Sequence, residues 1–273
     1  MTKTRTILTL LSMLAAGCLP DDTRPTPGKL IVEIGVSDAS PEFETDDGWQ
    51  VSYDAFLLGI GEVELHGDDC NPYTESDYLR LLDLRRSGPQ RLNIAYALGG
   101  CELSLQVQSP ARDVVLGEGV EESAALMMNE PGSDAFVRDA GTVLHAAGRA
   151  RRGNRELTFA WAFRRELDYP ECATVTLRGE EEQRVELDAR PSLLFLDAAD
   201  PSSNELLFEP YAAADVDEDG VVTLDELALV SLEPSQSEPY VTLAERLYLG
   251  LAPAVVGAPG GARCPPRVHE ADF

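Results

Sequence analysis

Through most of the first two thirds of the chain, apolar residues recur at every second position. Leu30, Val32, Ile34 and Val36 alternate with Ile31, Glu33, Gly35 and Ser37, the period of a half-buried strand. Trp49, Val51, Tyr53 and Ala55 alternate with Gln50, Ser52 and Asp54. The phase slips across 56–61 and resumes at Val63 and Leu65, and Gly59 and Gly61 mark the slip as a bulge or bend. Leu103, Leu105 and Val107 form a further set, as do Leu157, Phe159, Trp161 and Phe163. Shorter strands are predicted over 78–84, 173–177, 184–187 and 193–196, with turn-rich stretches at 67–72 and 87–89. Such a series predicts a mainly β fold, an antiparallel β-sandwich built as one large or two small units.

The period changes late. Leu243, Leu247 and Leu251 repeat every four residues and predict an amphipathic helix over 240–251. A shorter helix is predicted over 225–232, with Leu224, Leu227 and Leu229 able to pack inward. The chain therefore divides into a β region at 29–200, a helical segment at 201–252 and a Gly/Pro-rich tail at 253–273.

Between strands and helices stands the stretch that specifies chemistry. Residues 215–226 place side-chain oxygens at loop positions one, three, five, nine and twelve: Asp215, Asp217, Asp219, Thr223 and Glu226. Gly220 occupies position six, where the chain must turn sharply, and Val222 the inward-facing position eight. This is the spacing of a twelve-residue EF-hand loop. Ca2+ takes six to eight hard oxygen ligands, so the carbonyl of Val221 joins the three aspartates, Thr223 binds directly or through water, and Glu226 closes the shell with both oxygens. The simpler reading is a solvated acidic turn before a helix, in a chain with 48 acidic residues. Pro210, five residues before Asp215, confines the entering helix to about 210–214 or bends a longer one. The sequence contains no second loop to pair with this one. Both features predict a weak site, in the range of about 0.1–1 mM found in extracellular modules.

The beginning of the chain predicts export. Lys3 and Arg5 precede an apolar run over 7–16 and small residues before Cys18, the order of a secretory signal peptide over 1–17. Leu-Ala-Ala-Gly-Cys at 14–18 resembles a bacterial lipobox. That resemblance implies cleavage after residue 17 and acylation of Cys18, which would anchor the protein to the lipid bilayer. Residues 18–28, with three prolines, read as a tether of roughly 30 Å. Leu19 follows the lipidated cysteine where some enteric bacteria place an inner-membrane aspartate, so the expected location is the cell envelope, at the outer membrane.

The net charge is −26, and loss of two cations with the signal peptide makes it about −28. A surface of that sign repels nucleic acid and excludes it as a partner. Cys70, Cys101, Cys172 and Cys264 remain after Cys18. An even number in an exported chain predicts two disulfides with three possible connectivities. Cys70–Cys101 with Cys172–Cys264 is favoured, because the first pair brackets a compact segment and the second ties the tail back across the calcium loop.

Two resemblances follow from these residues. Val36-Ser37-Asp38, Glu62-Val63-Glu64-Leu65-His66-Gly67, Leu81 to Leu84 and Gly99-Gly100 before Cys101 resemble a domain of secreted prokaryotic lipoproteins that is similar to transthyretin-like sandwiches and has no assigned activity. Phe159-Ala160-Trp161, the stretch 169–172 and the stretch 213–227 resemble bacterial lipoproteins that end in one EF-hand. Histidines found in that group near the late strand and before the last cysteine are missing here at 190–194 and 257–263.

No catalytic motif is present: there is no G-x-S-x-G, H-E-x-x-H or Walker loop. The expected function is that of a non-catalytic, membrane-anchored, calcium-binding lipoprotein. An adhesin or glycan-binding module would need an exposed aromatic residue, and Trp49 and Trp161 both sit in alternating apolar sets. A metal-handling envelope protein or hydrolase would need His66, Asp68 and Asp69 to meet His145. Arg149, Arg151, Arg152 and Arg155 read either as balance for the acidic surface or as a contact for an acidic envelope partner.

Overall fold

The structure is a computed structural model that describes residues 25–36, 41–73, 78–111, 113–133, 136–197, 204–232, 241–259 and 264–267. The signal peptide, Cys18, most of the tether and His269 lie outside the described residues. No helix among those described is long and apolar enough to cross a membrane.

The first strands are β1 (Gly28–Val36), β2 (Glu42–Glu44), β3 (Gln50–His66), β4 (Asn71–Pro72), β5 (Arg80–Asp83), β6 (Gln90–Val107) and β7 (Val115–Leu116). Helix α1 (Glu122–Asn129) precedes β8 (Leu144–Arg152), β9 (Arg155–Phe163), β10 (Leu167–Leu177) and β11 (Glu182–Ala189). Then come α2 (Glu209–Ala212), β12 (Val221–Val222), α3 (Leu224–Leu227), α4 (Leu243–Glu245) and β13 (Val256–Gly257). The sheet runs in the order β12-β9-β8-β3-β6-β1-β11-β13, with β10 and β4 on β6, β2 and β5 on β3, and β7 on β5.

The protein is mainly β, as the alternation predicts, but the sheet is mixed. Its hairpin-linked and neighbouring strands pair antiparallel, whereas β1–β11, β5–β7 and β12–β9 pair parallel. Strand β11 reaches β1 only after the chain has traversed nine intervening strands and a helix, so no tight turn dictates an antiparallel approach. Two long strands curl the sheet by changing partners along their length. β3 pairs with β2 and β8 at its start and with β6 at its end, and β6 leaves β1 to lie against β3 and β10.

The phase slip in β3 has a physical cause. Its register shifts twice, between Tyr53 and Ala55 against β8 and between Gly61 and Glu64 against β6. Between the shifts, Phe56, Leu57, Leu58 and Ile60 are all buried, because this stretch is covered on both faces. Gly59 is obligatory there: a Cβ would lie 2.2 Å from the carbonyl oxygen of Gln108.

Several local expectations change. The apolar run at 193–196 is not a strand but part of a 3-10 turn, Pro191–Phe195. Pro191 starts that turn, and Leu194 and Phe195 are both fully buried, which a short apolar run cannot distinguish from a strand. The helix expected over 225–232 shortens to α3, and the one expected over 240–251 begins as α4, widens into a π turn at Arg246–Leu251 and then tightens into a 3-10 turn at Ala252–Val255. Helix α1 and the first half of β6, where Leu92, Ile94, Tyr96 and Leu98 alternate, are elements beyond those predicted above. α1 lies outside the main core and buries Ala125 and Met128 against Leu57 and Leu81.

One core joins the sheet to the helical segment. Around Phe195 stand the rings of Phe43, Tyr53, Phe159, Trp161, Phe208 and Tyr211, with centroids 5.4–6.2 Å away. Two disulfides, Cys70–Cys101 and Cys172–Cys264, have the favoured connectivity.

Candidate metal centre

The acidic loop is fixed at both ends by the sheet. Its entry, α2, is a single turn with Pro210 in its first positions, too short to hold its own shape. The turn before β3 holds it from outside: Asp47 accepts hydrogen bonds from the backbone N–H groups of Phe208 (2.9 Å) and Glu209 (2.6 Å), and Asp46 accepts one from Leu206 (2.7 Å). Thr45 donates to the other Asp47 oxygen at 2.5 Å. The Tyr211 hydroxyl donates to the carbonyl of Leu194 at 2.8 Å and is itself buried; that burial pushes its pKa up. Asp47→Ala is expected to destabilise the fold by about 1–2 kcal/mol, the cost of a lost N-cap. A urea midpoint unchanged from the parent would reject the cap.

Within the loop, Gly220 has φ +83°, a left-handed conformation that favours glycine, and Glu218 has φ +58°. Its nearest would-be Cβ neighbour is 3.9 Å away, so backbone conformation rather than space selects glycine. Backbone N–H groups turn inward onto the carboxylates. Gly220 donates to Asp215 Oδ1 at 3.4 Å, Asp219 to Asp217 Oδ1 at 3.2 Å, and Val221 to Asp219 Oδ1 at 2.7 Å.

The result is convergence. Asp215, Asp217 and Asp219 each bring one oxygen within 4.8 Å of the others. Oxygens at about 2.3–2.6 Å from one Ca2+ ion are at most about 5 Å apart, so the three fit one coordination sphere. Among the described residues this is the one group of three or more His, Cys, Asp or Glu side chains so placed.

The exit of the loop is built into the sheet. β12 pairs parallel with Thr158 and Phe159 of β9; Thr158 N–H donates to the Gly220 carbonyl at 2.9 Å, and Trp161 Nε1 to that of Val222 at 3.0 Å. Alternate carbonyls of a strand point opposite ways, which turns that of Val221 away from β9. Val222, at position eight, is fully buried.

Thr223 and Glu226 stand differently from the expectation of a bidentate closure. They form a capping box at the start of α3: Glu226 Oε2 accepts from Thr223 N and Oγ1, each at 2.8 Å, and Glu226 N donates to Thr223 Oγ1 at 3.2 Å. Thr242 and Glu245 make the same box at α4, where no aspartate triad precedes it, so a box alone calls for no metal. Glu226 falls outside the 4.8 Å set. Its other oxygen, Oε1, is buried and has no hydrogen-bond partner. A buried, unpartnered carboxylate oxygen is costly, and a hard cation is a partner that would satisfy it. The donor set is entirely oxygen, which fits Ca2+ or another hard divalent ion.

Of the arginine cluster, Arg152 and Arg155 reach this region, whereas Arg149 and Arg151 are exposed. Arg149 pairs with Asp54 at 2.6 Å, Arg151 with Glu156, and Arg152 with Glu209 at 2.5 Å. Arg152 also lies 4.8 Å over the Trp49 ring, whose Nε1 donates to Glu209 at 3.0 Å. Arg155 donates to the Ala212 carbonyl at 2.8 Å and stands 3.6 Å from Asp215 Oδ2. These pairings supply the charge balance read from sequence.

The other nominated groups do not assemble. His66 contacts the Pro170 carbonyl at 3.0 Å and Glu102 at 3.7 Å; Asp68 and Asp69 are exposed at a turn. His145 sits opposite Leu57 in the β3–β8 ladder, where desolvation lowers its pKa. Trp49 and Trp161 are fully buried core residues. The clamp of Asp46 and Asp47 on 206–209 had one legible sign, the turn sequence Thr45-Asp46-Asp47-Gly48, and none of its distant partner. No protein-family model matches the chain, and no curated protein or solved structure matches it either.

Proposed function

We propose that this protein is an exported, lipid-anchored, non-catalytic calcium-binding protein in which Ca2+ pins the segment 204–251 to the sheet. The observation that carries this reading is the convergence of Asp215, Asp217 and Asp219 on a loop whose exit strand is paired to β9. Val221, Thr223 and Glu226 complete the ligand set, with the unpartnered Glu226 Oε1 as its oxygen of closure. We read the curled sheet as a single sandwich-like body, since strands and helical segment share one core, and the loop with α2 and α3 as a reduced EF-hand. Acylation at Cys18 and the tether would hold this body at the outer membrane.

The test is calorimetry of the mature chain titrated with Ca2+ after exhaustive chelation, with a thermal melt at each end. One binding event is expected, with a stabilisation of about 1.4–2.7 kcal/mol at ten to a hundred times the dissociation constant. Asp215→Ala combined with Glu226→Ala should abolish both heat and melting shift. A double variant whose melt still responds to calcium would sink the site.

A further inference from the structure

We propose that Arg155 is a built-in competitor of calcium: its guanidinium holds Asp215 when calcium is scarce and must give way when the ion binds. The inference rests on the calcium reading above and concerns how the site is tuned. Asp215 is the most buried of the three aspartates, its side chain 4% exposed, whereas the side chain of Arg155 is 45% exposed. Arg155 Nη2 lies 3.6 Å from Asp215 Oδ2 and donates to the Ala212 carbonyl at the end of α2, while its guanidinium rests 5.8 Å from the Trp49 ring centre. On its solvent side is an open cleft of about 620 Å3, lined also by Asn154, Glu156, Glu209 and Glu218. The arginine therefore has a second place to go, where Glu156 and Glu209 already pair with Arg151 and Arg152 and Glu218 adds a further acidic group.

The physics has two opposite signs. Without the ion, three carboxylates within 4.8 Å of one another repel, and one guanidinium beside the most buried of them relieves that repulsion. With the ion, the same guanidinium stands about 6 Å from a dication, given metal–oxygen distances of about 2.3–2.6 Å. In water-like surroundings that opposition is worth about tenfold in affinity, less whatever Arg155 recovers by swinging into the cleft. A residue that favours the calcium-free loop and opposes the bound one sets the concentration at which the site fills.

The experiment uses the mature chain and its variants Arg155→Gln, Arg155→Lys and Asp215→Asn, titrated with CaCl2 by calorimetry and melted in chelator. Arg155→Gln is expected to bind calcium about three- to tenfold more tightly and yet to melt at a lower temperature in chelator. Arg155→Lys, which keeps the charge, should bind within about twofold of the parent. A purely structural latch would weaken calcium binding and stability together, so equal or weaker affinity in Arg155→Gln overturns the proposal. If the parent binds and Asp215→Asn does not, that result leaves the calcium site standing. If the parent gives no heat, or Asp215→Asn binds like the parent, the site and the competitor fall together.

Discussion

Phe195→Ala is expected to destabilise the protein by about 3–5 kcal/mol, the cost of truncating a fully buried aromatic side chain. Six rings surround Phe195, and they come from three parts of the chain: β2 and β3 (Phe43, Tyr53), β9 (Phe159, Trp161) and the entry to the acidic loop (Phe208, Tyr211). The backbone of the same turn is engaged as well. Leu207 N–H donates to the Phe195 carbonyl at 2.6 Å, and the Tyr211 hydroxyl to that of Leu194. A cavity at this point would therefore loosen the joint between sheet and helical segment, not an isolated patch of core. Weaker calcium binding should accompany the lower stability, because α2 positions Asp215. Phe195→Leu, which keeps much of the volume, should cost well under half as much. Chemical denaturation of the three chains decides it, and a loss below about 1 kcal/mol in Phe195→Ala would mean that the segment is not held through this ring.

The strands that could be read in advance were those with one covered face. Leu157, Phe159, Trp161 and Phe163 point inward from β9 while Glu156, Thr158 and Ala160 are exposed, and the alternation survives intact. Where both faces are covered, as at Phe56–Ile60 in β3, the period disappears and only its loss is visible. The parallel pairings were illegible for a different reason. Nothing within β1 or β11 records its direction relative to the other, since that is set by chain routing between them. The acidic loop was legible in composition because its glycine and its aspartates each answer a local requirement of backbone or charge. What holds the loop in place was not, because Asp47 and Phe208 are separated by most of the chain.

The lack of a second twelve-residue acidic loop in the sequence also finds a physical answer. A lone twelve-residue loop leaves its short strand unpaired, and an unpaired strand edge is costly to bury. Here β12 pairs with β9 instead, and Trp161 Nε1 takes the carbonyl of Val222. The sheet thus supplies the hydrogen bonds that a partner loop would give. Calcium affinity and the integrity of the β9 edge should accordingly rise and fall together.

Opening Cys172–Cys264 is expected to cost more stability than opening Cys70–Cys101. The two bonds have the same Cα separation, 4.8 Å, but span 92 and 31 residues. In the chain-entropy account these loops contribute about 4.7 and about 3.7 kcal/mol through the unfolded state. Native contacts push the same way. Cys70–Cys101 joins the turn between β3 and β4 to β6, which β3 already holds by the Leu65–Leu103 and His66–Glu102 pairings, whereas beyond Cys264 the described residues tie the tail to the body by the Asp168–Arg267 bridge. Cys172→Ala with Cys264→Ala should therefore unfold at lower urea than Cys70→Ala with Cys101→Ala, by a difference of about 1 kcal/mol. The calcium increment in either variant should stay close to that of the parent, because the loop docks on β9 through contacts that neither bond makes. The reverse order of urea midpoints would show that the packing of the fully buried Cys101 outweighs loop length, and would reject the entropic account for this protein.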